Sequence, residues 1–398
     1  MVLVREHIKV VLKSGKDQSV RRFHPWIFSG AIKKVYGRPA EGDLVSVFDN
    51  KDELLATGHY QGGSIAVRIL AFGEGGLPED FYEIRLREAW ELRRKLGLAD
   101  NEETDVFRWV CAEGDGLPGL IIDYYGGTVV LQAHSLGMHR NIELIRNAIL
   151  KIAGDRIDTV YNKSEGSLPL VSGIENRSEF LLGNLNERCV KEHSYRFKVN
   201  WVEGQKTGFF IDQRENRSLV SRWAKSRKVL NLFGYTGGFS VYALGGGASE
   251  VHTVDSSVRA VELANENVAL NFQDDRRHKA LAADAFRFLD ETAESYDLII
   301  LDPPAFAKHQ NVLGNALQGY KRLNQKALGK ILPGGILFTF SCSQAVSKEN
   351  FRKSLFVAAA NAGRRVRILY QLSQPADHPV SIFHPEGEYL KGLVLEVQ

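Results

Sequence analysis

From residue 195 onward the chain alternates short apolar runs with amphipathic stretches, and this alternation restricts the fold more than any other feature. The apolar runs, expected as strands, are Val229–Phe233, Glu250–Asp255, Lys279–Asp284, Tyr296–Asp302, Ile336–Ser343, Val366–Gln371 and Lys391–Val397. Helices fit between most of them, as at Val258–Asn271 and Ser347–Gly363. Buried strands joined by helical crossovers predict a parallel sheet covered on both faces. The last two strands have no helix between them, so the seventh is expected to run in reverse. A strand over YRFKVNWVEG (195–204) is expected to open this part.

Upstream the pattern changes. Residues 1–75 are rich in strand signals: IKVVLKSG, EGDLVSVFDNKDELLATGHY and SIAVRILAF, with a hairpin expected at Asp49-Asn50-Lys51-Asp52. Short strands with glycine turns suggest a small barrel. FGEGGLPED (72–80) has turn composition and marks a boundary. Residues 79–190 mix a helix ending near Gly97, strands joined by glycine turns at 114–119 and 126–127, a helix over MHRNIELIRNAILKIAG, a short strand TVYNKS and a polar stretch around 172–188. The expected division is 1–75, 76–190 and 191–398, in keeping with two to four domains for 398 residues.

Composition excludes several classes. Hydrophobic residues make up 44% and charged residues 25%, an ordinary globular balance that rules out disorder and coiled coil. No apolar run reaches the length of a membrane span, and MVLVREHIKVVLKSGK lacks the apolar core of a secretion signal. Cys111, Cys189 and Cys342 are far apart and form no CxxC pair, so neither a metal cluster nor a disulfide framework is expected. A reducing cytoplasm is the implied compartment. Net charge is +3, but unevenly spread. Residues 1–38 carry +7, nine Lys/Arg against Glu6 and Asp17, and the rest carries −4. A basic end suggests a polyanion contact, with a solvated surface segment as the plain alternative.

Four features share one edge of the expected sheet. VLNLFGYTGGFS (229–240) reads strand, glycine loop, helix, and Gly234, Gly237 and Gly238 let backbone approach a ligand. Asp255 ends the second strand, where a carboxylate accepts both hydroxyls of a ribose. Asp284 ends the third strand and suits an adenine amino group, or else caps the helix AFRFLDE. Asp302 ends the fourth in LIILDPP. No G-x-G-x-x-G and no GxxxxGK[ST] is present, which argues against dinucleotides and ATP. A nucleoside without phosphates, S-adenosylmethionine, fits better. Pro303 and Pro304 stiffen the loop after Asp302. Cys342, in TFSCS, lies beside that loop if the fourth and fifth strands are neighbours. A thiolate there could add to C6 of a pyrimidine and make C5 nucleophilic; the alternative is a buried small hydrophobe. Cys111 and Cys189 are expected to be of that second kind.

NLFGYTGGFS, VDSS, DPPAF and TFSCS, with FFIDQREN (209–216) ahead of them, resemble the large-subunit ribosomal RNA cytosine-C5 methyltransferases of the type called methyltransferase I. RRFHPWIFSGAI (21–32), AEGDGLPGLIIDYYG (112–126), PADHPV and PEGEYLKG extend the resemblance over nearly the whole chain. It implies an α/β fold: an N-terminal PUA β-barrel, a central α+β domain and a Rossmann-like class I methyltransferase domain. It implies 5-methylcytosine formation in 23S ribosomal RNA with S-adenosylmethionine as donor and no metal. On that basis Cys342 is the nucleophile and Asp302 holds the cytosine edge around N3/N4. Asp255 with Ser256 would bind the ribose and Asp284 with Ala285 the adenine. Phe233, Gly234, Tyr235, Thr236 and Gly237 would line the methionine part, with Gln213 and Arg214 near the cofactor. Pro303, Pro304 and Phe306 would meet the target base. Arg21, Arg22 and His24 would meet RNA on the PUA domain, with Trp26 either there or in the core. Many RNA cytosine-C5 methyltransferases carry a second cysteine in the strand-four loop; here that loop is Pro303-Pro304-Ala305, which leaves open what removes the C5 proton. A homodimer is also left open. Two rivals remain: methylation of a guanine nitrogen with a structural Cys342, and a non-catalytic RNA-binding assembly factor.

Overall fold

Seven apolar segments pair into one sheet: β1 (Lys228–Leu232), β2 (Glu250–Asp255), β3 (His278–Ala282), β4 (Tyr296–Leu301), β5 (Ile331–Ser341), β6 (Val366–Leu372) and β7 (Lys391–Val397). In this computed structural model, which describes residues 8–168, 177–185, 188–307 and 312–398, the strand order is β3-β2-β1-β4-β5-β7-β6. β7 runs antiparallel to β5 and β6, and the pairs from β3 to β5 are parallel. The reversed seventh strand follows from the missing crossover: β6 and β7 are joined without a helix, so the chain returns in the opposite direction.

Among the described residues, six α-helices complete this part: α1 (Arg214–Trp223), α2 (Gly238–Gly245), α3 (Val258–Asn271), α4 (Ala285–Glu291), α5 (Leu313–Lys330) and α6 (Lys348–Asn361). Leu230, Leu232, Ile299, Leu301 and Leu337 of the sheet share a core with Tyr320, Leu323 and Ala327 of α5 and Phe351, Leu355 and Ala358 of α6. α2 is buried on every side from Gly238 to Leu244, as a helix without a polar face must be. Ser257, Asp284 and Ser347 cap α3, α4 and α6 by accepting the N–H three residues on. A buried ion pair, Arg217 with Glu192 at 2.8 and 2.7 Å, ties α1 to the hairpin Cys189–Glu192/Tyr195–Lys198.

Chain packing divides the protein into two units. The second comprises Arg188–Val199, Phe209–Pro375 and Glu388–Gln398; the first comprises Met1–Glu187, Asn200–Gly208 and Ala376–Gly387. The first unit contains a six-stranded sheet in the order Trp26–Phe28, Ile65–Phe72, Leu54–Tyr60, Leu44–Phe48, Lys9–Leu12, Ile32–Tyr36. The expected hairpin joins Leu44–Phe48 to Leu54–Tyr60. Val10, Leu12, Val45, Val47, Val67 and Ile69 fill its core. A five-stranded sheet follows, Glu179–Leu182, Thr159–Asn162, Thr128–Ala133, Leu120–Tyr125, Val106–Cys111, against helices Phe81–Lys95 and Ile142–Ala153.

Several expectations need correction. Of YRFKVNWVEG only Tyr195–Lys198 is strand, and Asn200–Gly208 joins the first unit. MHRNIELIRNAILKIAG forms two helices, Leu136–Arg140 and Ile142–Ala153, because Asn141 leaves helical geometry and its amide bonds Gly137 O at 2.7 Å. β5 starts at Ile331 rather than Ile336. β3 ends at Ala282, two residues before Asp284, because Asp284 is the cap of α4. Cys189 is exposed, not buried, since its strand forms only a two-stranded hairpin. Cys111 fits the inert reading: burial pushes its thiol up to about 12. Trp26 is half-buried, with Nε1 donating to Glu113 at 2.9 Å. The polar stretch around 172–188 lies partly outside the described residues, as do Arg5 and Glu6.

Candidate active site

Between β1 and α2 the chain makes a tight turn that only certain residues tolerate. Phe233 and Tyr235 have φ of 59° and 43°, a left-handed conformation that is unusual for large side chains. Such backbone persists only where the surroundings enforce it, and ligand clamps are a common place for it. Here Tyr235 N–H donates to Asp255 Oδ2 at 2.9 Å, and Asn267 Nδ2 donates to the Thr236 carbonyl at 2.9 Å. A Cβ on Gly234 would lie 2.4 Å from Thr253 Cγ2, so a side chain at this position would collide with β2. Gly237 has φ of 76°, and a Cβ there would come within 2.9 Å of Ala264.

Asp255 closes β2 and faces this loop. Its second oxygen accepts Ser257 N–H at 2.9 Å. Each carboxylate oxygen has two acceptor sites, so both retain capacity for a ligand hydroxyl. Ser256 beside it is exposed. Asp284 spends one oxygen on Arg287 N–H at 2.9 Å; it is exposed, with Ala285 buried behind it. The segment before α1 borders the same loop. Phe210 meets the Tyr235 ring edge-on at 5.2 Å, and a Cβ on Gly238 would lie 3.1 Å from Arg217 Cδ. Gln213 and Arg214 are both buried, and Gln213 Oε1 accepts Asn216 Nδ2 at 2.6 Å. Tyr389 O–H donates to Asp212 at 2.7 Å.

The other end of the site is built from the loops after β4 and β5. Asp302 follows β4 and Cys342 follows β5, each by one residue, and the two strands are neighbours. Cys342 Sγ lies 4.0 Å from the Pro303 carbonyl. Ser343 O–H donates to the Ala307 carbonyl, which fastens one loop to the other. Pro303 is buried and Pro304 exposed. Tyr320 of α5 stands behind both loops: its hydroxyl accepts Ser341 O–H at 2.9 Å and its ring packs on Phe306 at 4.6 Å. Burial pushes the Tyr320 hydroxyl up to about 12, with smaller contributions from Cys342 and Asp302. Lys391, the first residue of β7, donates to the Ser343 carbonyl at 2.6 Å.

Thus the cofactor and catalytic candidates all lie in the second unit, while Arg21, Arg22 and His24 belong to the first. Arg21 is held by Asp17, Asp49 and Glu53. Arg22 is exposed. His24 is half-buried, Nδ1 near Trp26 N at 3.2 Å and Nε2 3.5 Å from Glu386. Sequence reasoning missed Tyr320, Lys391 and the Tyr389–Asp212 contact. The one signal for Tyr389 and Lys391 was PEGEYLKG, whose polar residues carry no mark of burial; Tyr320 had none. Among the described residues no group of three His, Cys, Asp or Glu could hold a metal ion, and no helix is long and apolar enough to cross a membrane.

The glycine cradle, the strained loop and a carboxylate with free acceptor sites fit an adenosyl group attached to an amino acid. A family model described as S-adenosylmethionine-dependent methyltransferase matches residues 172–381, and a PUA-like domain model matches residues 10–72. Ribosomal RNA large subunit methyltransferase I of Alteromonas mediterranea is 40% identical over 395 residues, 98% of each chain. The protein of that name from Aeromonas salmonicida is 38% identical, covering 98% of this chain and 99% of its own. A provisionally assigned S-adenosylmethionine-dependent methyltransferase from Streptococcus mutans has the same fold, with a TM-score of 0.83 at 22% identity over 98% of this chain and 100% of that one.

Proposed function

This chain belongs to the ribosomal RNA large subunit methyltransferase I family, and from that premise we propose that it forms 5-methylcytosine in 23S ribosomal RNA by way of a Cys342–C6 adduct. Its fold is a Rossmann-like methyltransferase domain with an N-terminal PUA-like barrel and a central α+β part, and its cofactor is S-adenosylmethionine. It is an S-adenosylmethionine-dependent ribosomal RNA methyltransferase; the carbon target and the adduct are our finer reading. We keep 1–75, 76–190 and 191–398 as its three domains and place its work in the cytoplasm.

One observation carries the reading: Cys342 and the Asp302-Pro303-Pro304 loop meet at the ends of adjacent strands, with Sγ 4.0 Å from the Pro303 carbonyl. When bound, S-adenosylmethionine supplies an electrophilic methyl group. Asp255 and Ser256 would hold its ribose, Asp284 and Ala285 its adenine, and Phe233 to Gly237 its methionine part, with Gln213 and Arg214 behind. Asp302 would orient the base through its N3/N4 edge, between Pro304 and Phe306. The Cys342 thiolate would bond to C6, and the displaced ring electrons would make C5 nucleophilic. After C5 is methylated, loss of its proton returns electrons to the ring and breaks the Sγ–C6 bond. A cytosine within an RNA helix has to be extruded to reach Cys342. Arg22 and His24 would contact RNA on the first unit, and Arg21 would order the surface beside them.

The test is methyl transfer to 23S ribosomal RNA by wild type and Cys342→Ala, with the product nucleoside identified. RNA carrying 5-fluorocytosine should trap a protein–RNA adduct with wild type only, since fluorine at C5 cannot leave as a proton does. Undiminished transfer by Cys342→Ala would sink the covalent reading and favour a nitrogen target.

A further inference from the structure

Lys391 pairs with Ser341 across β5 and β7, and only 6% of it is exposed. Lysine is almost never fully buried unless it is paired. Yet among the described residues no carboxylate lies within ion-pair distance of its Nζ; the group donates to the Ser343 carbonyl instead, one residue beyond Cys342. Burial lowers Lys391 to about 8. Cys342 is the largest influence opposing that shift, Glu388 opposes it less, and Lys348 adds to it. Tyr320 of α5 accepts the hydroxyl of Ser341, the residue before Cys342, at 2.9 Å. Lys391 also lines a cleft of about 320 Å³ with Lys348, Phe351, Arg352 and Glu388.

We propose that Lys391 is the positioning residue that prepares Cys342 for attack, taking the thiol proton and then steadying the thiolate as an ammonium ion. The inference rests on the reading of Cys342 as nucleophile. The Sγ–H bond breaks with its electron pair left on sulfur, and the proton bonds to the amine lone pair. When the Sγ–C6 bond later breaks, the thiolate can take that proton back. Both amine and ammonium are populated near neutral pH, as such an exchange requires. The pairing comes from topology: the reversed β7 brings its first residue beside the last residue of β5.

The experiment is iodoacetamide alkylation of the full-length protein between pH 5.5 and 10, with the Cys342 peptide quantified by mass spectrometry. Wild type should show an inflection below the ordinary thiol value of about 8.5. Lys391→Met should move it up by a unit or more, so that the rate at pH 7 falls roughly tenfold. An unchanged profile in folded Lys391→Met overturns the proposal. If that variant does not fold, the wild-type profile decides, and an inflection at or above about 8.5 overturns it. Full methyl transfer by Cys342→Ala would instead overturn the nucleophile reading, whatever the alkylation profile.

Discussion

Asp255→Asn preserves shape while removing charge, and the geometry sets the expected cost. Both carboxylate oxygens accept backbone N–H groups, one from Tyr235 in the glycine loop and one from Ser257 at the start of α3. A carboxamide has a single oxygen, so one of those N–H groups would face an NH2 donor. A hydrogen bond to a charged acceptor is worth about 1.5–3 kcal/mol, and a neutral one about 0.5–1.5. One bond is lost and the other weakens. If the loss falls on Tyr235, the strained turn at Phe233 and Tyr235 loses the contact that holds its shape. Charged to binding alone, one lost bond raises Kd roughly 10- to 150-fold. Titration calorimetry with S-adenosylhomocysteine reads this directly. Asp284→Asn is the control, because asparagine caps a helix about as well as aspartate. Its thermal unfolding should match wild type, so any weakening of affinity there reports a ligand contact. An Asp255→Asn affinity within twofold of wild type would refute the assignment of Asp255 to the cofactor.

On the first unit, Arg22→Ala should flatten the plot of log affinity against log salt for ribosomal RNA by about 0.7–0.9, one phosphate contact, whereas Arg21→Ala should leave the slope unchanged; filter binding between 50 and 200 mM salt checks this, and equal effects would refute it. Burial drives His59 and His278 down to about 4. Their unfolded forms take a proton near 6.5 and their folded forms only near 4, so the unfolded state binds more protons in between and stability falls as pH drops through that window. Each contributes on the order of 2–3 kcal/mol once fully expressed. The urea midpoint should therefore be flat above pH 7 and lower at pH 5, where most carboxylates are still ionised; an equal or higher midpoint at pH 5 would refute it.

The parts legible in the sequence are those where local pattern and final environment coincide. β2 and α3 fall at Glu250–Asp255 and Val258–Asn271 as read, because an apolar strand run, a turn at Ser256-Ser257 and a serine cap all agree. β3 ends earlier than its run of small and apolar residues suggests because Asp284 turns the chain into α4, and β5 starts earlier because Pro333-Gly334-Gly335, inside the strand, has turn composition. The edge of the sheet holding Gly234, Asp255, Asp302 and Cys342 could be anticipated, since each ends a strand. Lys391 could not. A lysine at the start of LKGLVLEV reads as a solvated strand end, and its burial appears only when β7 is inserted between β5 and β6. The pair Arg217–Glu192 was hidden in the same way, by a hairpin that pairs locally and packs at a distance.

The basic N-terminal segment shows why charge counted along a chain overstates charge offered to a ligand. Arg21 is held by Asp17, but also by Asp49 and Glu53, which a count ending at residue 38 does not include. Three carboxylates around one guanidinium leave that spot acidic. Lys9 pairs with Asp52 and lies over the Phe48 ring at 4.3 Å, Lys13 donates to the Gly30 carbonyl at 2.8 Å, and Lys34 lies over the Tyr36 ring at 4.4 Å. The carboxylates come from the turn joining Leu44–Phe48 to Leu54–Tyr60, brought there by sheet pairing. Among the described residues of this segment, Lys16, Arg22, Lys33 and Arg38 are exposed and spend no side-chain bond within the protein. Four such cations, if all met phosphates, would give a salt slope of roughly −3 from this segment. That is little more than half of what a charge of +7 suggests, so the folded surface here is suited to positioning an RNA rather than to gripping it by charge alone.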